Sequence, residues 1–148
     1  MSIFHRYHLR GRVRDCDATK RVVDGLRTFV PEEFLFSDEI YALYTPSDEE
    51  EGVATVAVQI EAEMTHNDVG RFCDLVKRLD PYCLEAIRVT HEYENGDPWE
   101  DEIDEFFIGP TDAVQAAISK DLLGEIEERL GGLTEADRRL LRDMLDVD

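Results

Sequence analysis

The sequence predicts an α+β fold: a ferredoxin-like βαββαβ core, with an antiparallel sheet and helices on one face, followed by two C-terminal helices. Three observations carry this expectation. Residues 3–14 and 53–64 alternate in polarity with the period of a half-buried strand. The segments after them repeat apolar residues at helical spacing, and Pro31, Asp80-Pro81 and Asn95-Gly96 punctuate the elements.

The first strand puts Tyr7, Leu9, Gly11 and Val13 on one side and Phe4, Arg6, His8, Arg10, Arg12 and Arg14 on the other. Asp15 and Asp17 then offer helix-start carboxylates, and Val22, Val23, Leu26, Phe29 and Val30 form an apolar stripe that Pro31 ends. A second strand is expected over residues 40–45, followed by a solvent loop over residues 46–52. The third strand buries Val56, Val58, Ile60, Ala62 and Met64 and turns Thr55, Ala57, Gln59, Glu61 and Glu63 outward.

Thr65 caps a second helix with Asp68 three residues on, and Val69, Phe72, Val76 and Leu79 line its apolar side. Residues 84–94 return as a strand, with Ile87, Val89, His91 and Tyr93 opposed to Ala86, Arg88, Thr90, Glu92 and Glu94. Beyond the Asn95-Gly96 turn, residues 99–108 are expected as a fifth strand, which Pro98 and the density of acids confine to a sheet edge. Val114, Ile118, Leu122, Ile126 and Leu130 then keep a spacing of four up to Gly131-Gly132, and Thr134 caps a terminal helix with Leu140, Leu141, Met144 and Leu145. One domain is expected, residues 1–110 as the sheet-helix core and residues 111–148 as a helical appendage.

The chain has 148 residues, 43% of them hydrophobic, enough for one core. Residues 1–14 carry four arginines and two histidines where a signal peptide would be apolar, so a cytoplasmic protein is expected. Cys16, Cys73 and Cys83 form no C-x-x-C pair and are read as reduced thiols.

The net charge of −19 argues against direct binding to nucleic acid or anionic membrane, and it is unevenly placed. Residues 1–30 hold seven bases and three acids, whereas residues 31–64 hold ten acids and no lysine or arginine, and residues 92–119 hold nine and none. The first acidic block centres on Asp48, Glu49, Glu50 and Glu51. The second contains Asp97, Glu100, Asp101, Glu102, Asp104 and Glu105 beside Trp99.

No catalytic constellation emerges, and no enzyme, cofactor or metal is expected. The glycines form no phosphate-binding loop, and His5, His8, His66 and His91 have no metal-ligand spacing, so surface or edge histidines are the expected reading. His66 and Cys73 lie two turns apart, about 10 Å along a helix, too far for thiolate activation. Cys16 lies between Asp15 and Asp17, with no electropositive setting to lower its pKa. Glu61, Glu63, Glu92 and Glu94 are expected to pair across strands with the arginine row, and Phe4 is the aromatic expected on that face.

Two classes of function remain. The blocks suit a binding or inhibitor protein that masks a cationic protein surface, that of a nuclease, a toxin or a nucleic-acid-binding defence complex, by phosphate mimicry, with Trp99, Phe106 or Phe107 as apolar anchors; in composition the chain resembles DNA-mimic inhibitors and acidic immunity proteins. The alternative is a small anionic-ligand-binding or enzymatic domain in which Arg10, Arg12 and Arg88 hold the anion, its acidity reflecting a salt-rich cytoplasm. Three lysines against 13 arginines resemble the composition of halophile proteins.

Overall fold

A computed structural model of the chain describes residues 3–32, 39–94, 101–129 and 135–145. The chain divides into two compact units, Met1–Val114 and Gln115–Asp148. The first contains β1 (Ile3–Arg14), α1 (Asp17–Arg27), β2 (Glu39–Pro46), β3 (Val53–Met64), α2 (His66–Lys77), β4 (Ile87–Glu94) and β5 (Asp101–Ile108). The strands lie in the order β2-β3-β1-β4-β5, each antiparallel to its neighbour. The α+β fold is therefore present, and its four-strand core has the order expected of a ferredoxin-like arrangement.

β1 organises this sheet. Every residue from Ile3 to Arg14 is in register with β3, and His5 to Leu9 are also in register with β4. Its alternation buries Tyr7, Leu9 and Val13 against Val56, Val58, Ile60 and Met64 of β3, and Val23, Leu26, Phe72 and Val76 of α1 and α2 complete the core. At Gly11 the Ile87 side chain of β4 packs over the backbone: a Cβ there would stand 2.4 Å from Ile87 Cγ1.

The strand expected over residues 84–94 starts at Ile87. A tight helical turn at Asp80–Tyr82 intervenes, the Cys83 amide bonds back to Leu79, and the Leu84 amide donates to the Arg12 carbonyl. β5 runs along β4 as the expected edge strand, and residues 99 and 100 lie outside the described residues. So do Asn95, Gly96, Pro98, Leu130, Gly131, Gly132 and Thr134.

Two polar devices fix the helices to the sheet. Arg27 of α1 donates from Nε and Nη2 to the outward-facing Ala42 carbonyl of edge strand β2, at 3.0 and 2.8 Å, which blocks further pairing there. At the start of α2, the Asp68 amide donates to Thr65 Oγ1 while the Asp68 carboxylate accepts from the Thr65 and Glu32 amides and from Arg71. Burial alone would raise the Asp68 carboxyl, but these donors outweigh it and hold its pKa below the usual value.

α3 (Thr111–Arg129) runs into the second unit, which also contains α4 (Glu135–Leu145). Within that unit Arg142 Nε donates to Glu127 Oε1 at 2.7 Å. Ile118 and Leu122 are exposed, so the four-residue spacing builds a helix without building a buried stripe. Among the described residues, no helix is long and apolar enough to cross a membrane.

Gly11→Ala is expected to destabilise the chain by about 2 kcal/mol through overpacking against Ile87. Ile87→Ala, destabilising alone, should recover part of that loss in the double variant. Urea unfolding of the four proteins measures it; strictly additive effects would show that Gly11 does not serve to make room for the Ile87 side chain.

Candidate functional site

Helices α1 and α2 cover one sheet face and leave the other open, where the row from β1 is Arg6, His8, Arg10, Arg12 and Arg14, all exposed. The register fixes their neighbours. Arg6 lies between Glu61 of β3 and Glu92 of β4, donating from Nε at 2.8 Å and from Nη1 at 3.1 Å. Glu61 also accepts from Gln59 Nε2, and Gln59 Oε1 accepts from the Tyr41 hydroxyl, so one hydrogen-bonded chain crosses β2, β3, β1 and β4.

Arg12 lies 3.6 Å from Glu85 and 3.7 Å from Glu50. Arg88 pairs with Glu105, and its guanidinium sits 4.9 Å from the centre of the Phe107 ring. These pairs are exposed, so each contributes at most about 1 kcal/mol. Arg10 differs: among the described residues it has no ion pair. The three arginines of the expected ligand site are thus not equivalent, since Arg12 and Arg88 are taken by glutamates. Tyr41 and Phe107 join Phe4 on this face, two aromatic residues more than the sequence suggested.

The first acidic block and the start of β5 lie at opposite ends of the sheet. The loop carrying Asp48, Glu49, Glu50 and Glu51 adjoins the Arg14 end of β1, where Asp15 donates its amide to the Gly52 carbonyl. The Glu94–Asp101 pair of β4 and β5 lies at the His5 end. The 12 residues of β1 set these ends apart by about 36 Å, at roughly 3.3 Å per residue.

The first loop is ordered by its own backbone. Ser47 Oγ accepts from the Glu49 and Glu50 amides at 3.2 and 3.1 Å, the Ser47 amide donates to Val53, and Gly52 takes the positive φ of 80° that closes the turn. Glu50 reaches Arg12; among the described residues, no ion pair involves Asp48, Glu49 or Glu51.

The second block is divided by the pleat of β5. Ile103 and Glu105 lie on the open face, while Glu102 and Asp104 turn toward the helix side, where the Tyr93 hydroxyl donates to Glu102. Phe106 packs against the core and Phe107 lies beneath Arg88, so neither stands out as a free anchor. Asp97, Trp99 and Glu100 lie outside the described residues, and Asp101 is described only through its strand pairing with Glu94.

The sequence missed a histidine cluster on the helix side. His5 and His91 were expected at the surface or an edge, but His5 is 6% exposed and its Nδ1 lies 2.7 Å from His91 Nε2. Cross-strand register brings the rings together: Tyr7 faces His91 with centroids 4.0 Å apart, and His5 faces Tyr93 at 5.9 Å. His66, Met64 and Asp104 join them around a recess of about 320 Å³. The signal was present in the parity of the strands, since His5 shares its side with Tyr7 and Leu9, and His91 with Ile87 and Val89.

A hydrogen bond between two imidazoles requires that at least one be neutral. Burial, and then the neighbouring His91, push His5 down to about 4; burial also lowers His91, against an opposing pull from Asp104. The pair is therefore uncharged near neutrality and can accept a proton as the solution becomes acidic. Tyr7 donates to or accepts from Cys73 at 3.5 Å, and burial raises its phenol, with Cys73 adding to the effect. Among the described residues, no group of three histidine, cysteine or carboxylate side chains is arranged to hold a metal ion.

Cys16 also departs from expectation. Its thiol pKa is lowered, first by the Thr19 hydroxyl 3.2 Å away and then by the Thr19 amide at the start of α1. Cys73 is half-buried, as expected. No protein-family model, curated protein or solved structure matches this chain.

The lowered His5 pKa has a defined sign for stability. The unfolded chain takes up a proton near 6.5 that the folded chain refuses until about 4, so stability is complete above 6.5 and is lost as pH falls toward 4. The slope for one proton is at most about 1.4 kcal/mol per pH unit. His5→Phe should flatten the acid limb of stability against pH in that window. An unchanged slope would show that His5 does not govern it.

Proposed function

We propose that this protein binds a cationic protein surface, one that otherwise contacts nucleic acid, and masks it by presenting carboxylates in place of phosphates. The observation that carries this reading is the ordered turn at Ser47, which holds Asp48, Glu49 and Glu51 in solvent with no ion pair among the described residues. By contrast, Glu61, Glu92, Glu85 and Glu105 are already paired with Arg6, Arg12 and Arg88. Asp48, Glu49 and Glu51 therefore leave uncompensated negative charge at the end of the β2–β3 hairpin.

A turn fixed before binding loses little conformational freedom on association, and a local negative field speeds encounter with a basic partner. Asp97, Trp99, Glu100 and Asp101 of the second acidic block are a further contact in this proposal, carried by the sequence alone. The partner either spans about 36 Å along β1 or engages one end at a time. Asp104 and Glu105 contribute less directly: Asp104 faces the histidine recess and Glu105 is held by Arg88.

The test is affinity capture at low and high ionic strength, using the native chain and a Glu49→Lys, Glu51→Lys variant, with a double-stranded oligonucleotide as competitor. The native chain should retain a basic protein that salt or the oligonucleotide releases, and the variant should lose it. Retention of the same proteins by both chains would overturn the reading.

A further inference from the structure

The open sheet face contains a groove that charge pairing does not explain. It measures about 370 Å³ and is lined by Arg10, Tyr41, Leu43, Thr45, Thr55 and Ala57. Its cause lies in the register. Leu43 of β2, Ala57 of β3 and Arg10 of β1 stand in one row across the strands, and the methyl group of Ala57 leaves a depression between two longer side chains. In the next row Thr45, Thr55 and Arg12 stand side by side; in the row before, Tyr41, Gln59 and His8 do.

The chemistry of the lining is asymmetric. One wall is apolar and exposed, with Tyr41 at 42% and Leu43 at 56% accessible. The other is the guanidinium of Arg10. The row neighbours explain why Arg10 lacks an ion pair where Arg6 has two: Arg6 faces Glu61 and Glu92, whereas Arg10 faces Ala57. Tyr41 is held by its hydroxyl to Gln59, which fixes one side of the wall.

We infer that this groove binds a small organic carboxylate, its oxygens on Arg10 and its flat apolar body over Ala57 between Tyr41 and Leu43. Arginine presents paired donors that match a carboxylate. Thr45 and Thr55 border the groove at its other end. The volume lies near the lower end of the range for small-molecule sites, about 300–1,000 Å³, which fits a bicyclic acid and not a nucleotide. This site does not rest on the hairpin turn of the proposed function, and the variants that test the two lie at different residues.

The probe is 1-naphthoate, followed through the backbone amide resonances of Leu43, Thr55 and Ala57, with 1-naphthylmethanol as the uncharged control. Naphthoate should shift these resonances saturably at millimolar concentration and bind more tightly than the alcohol. Arg10→Gln should weaken it by about tenfold or more, the loss of a charge-assisted pair. Ala57→Leu should abolish binding by filling the groove; because residue 57 is half-exposed in a strand, the amide spectrum should otherwise remain that of the native fold. Absence of shifts at these residues, equal binding of the alcohol, or unchanged affinity in Arg10→Gln would overturn the assignment.

Discussion

The pairing of β1 with β3 along its whole length is the constraint on which the rest of the structure depends. A strand with period-two alternation has two unlike faces, and a shift of one residue would exchange them. Here that shift would place five charged or polar side chains, Arg6 to Arg14, in the core. The hydrophobic effect therefore fixes the register, and the register fixes every ion pair on the open face. β4 joins through its pairing with His5 to Leu9 and carries β5 with it, and Gly11 leaves room for the Ile87 side chain.

From that one constraint the charge distribution acquires a geometry. Along the strands, opposite charges meet at ordinary cross-strand distances, and a chain of hydrogen bonds runs from Tyr41 through Gln59, Glu61 and Arg6 to Glu92. Beyond the Arg14 end of β1, the hairpin turn pairs Glu50 with Arg12 and leaves Asp48, Glu49 and Glu51 with no ion pair among the described residues. Individual exposed pairs are weak, but their placement decides where the residual field lies. Arg10 is the counterpart within the sheet, a cation left over because its neighbour is alanine.

Much of the fold was legible because it rests on local periodicity. The alternation of residues 3–14 and 53–64, the Thr65–Asp68 capping box and the order of elements all appear in the structure. The start of β4 was misplaced because Cys83 and Leu84 bond back to Leu79, Asp80 and Arg12 instead of extending the strand. The site was less legible because contacts such as His5 with His91 join residues 86 positions apart. Parity shows that both rings face the helices, but only register places them diagonally opposite. The same holds for Arg10: its row contains Leu43 and Ala57, and no local motif announces that alignment. The neighbours of Cys16 in sequence do not reveal its environment, which the start of α1 and Thr19 set.

The central proposal is that the unpaired acids of the hairpin turn serve a binding surface, and that the acidity is not a bulk adaptation to a salt-rich medium. Thermal unfolding in about 0.1 M and about 2 M potassium chloride tests this directly, because exposed charges are screened within roughly 10 Å in the first and almost completely in the second. The account predicts one cooperative transition already present at low salt, with a modest upward shift of its midpoint at high salt. A chain that shows no cooperative transition until molar salt is added would contradict it.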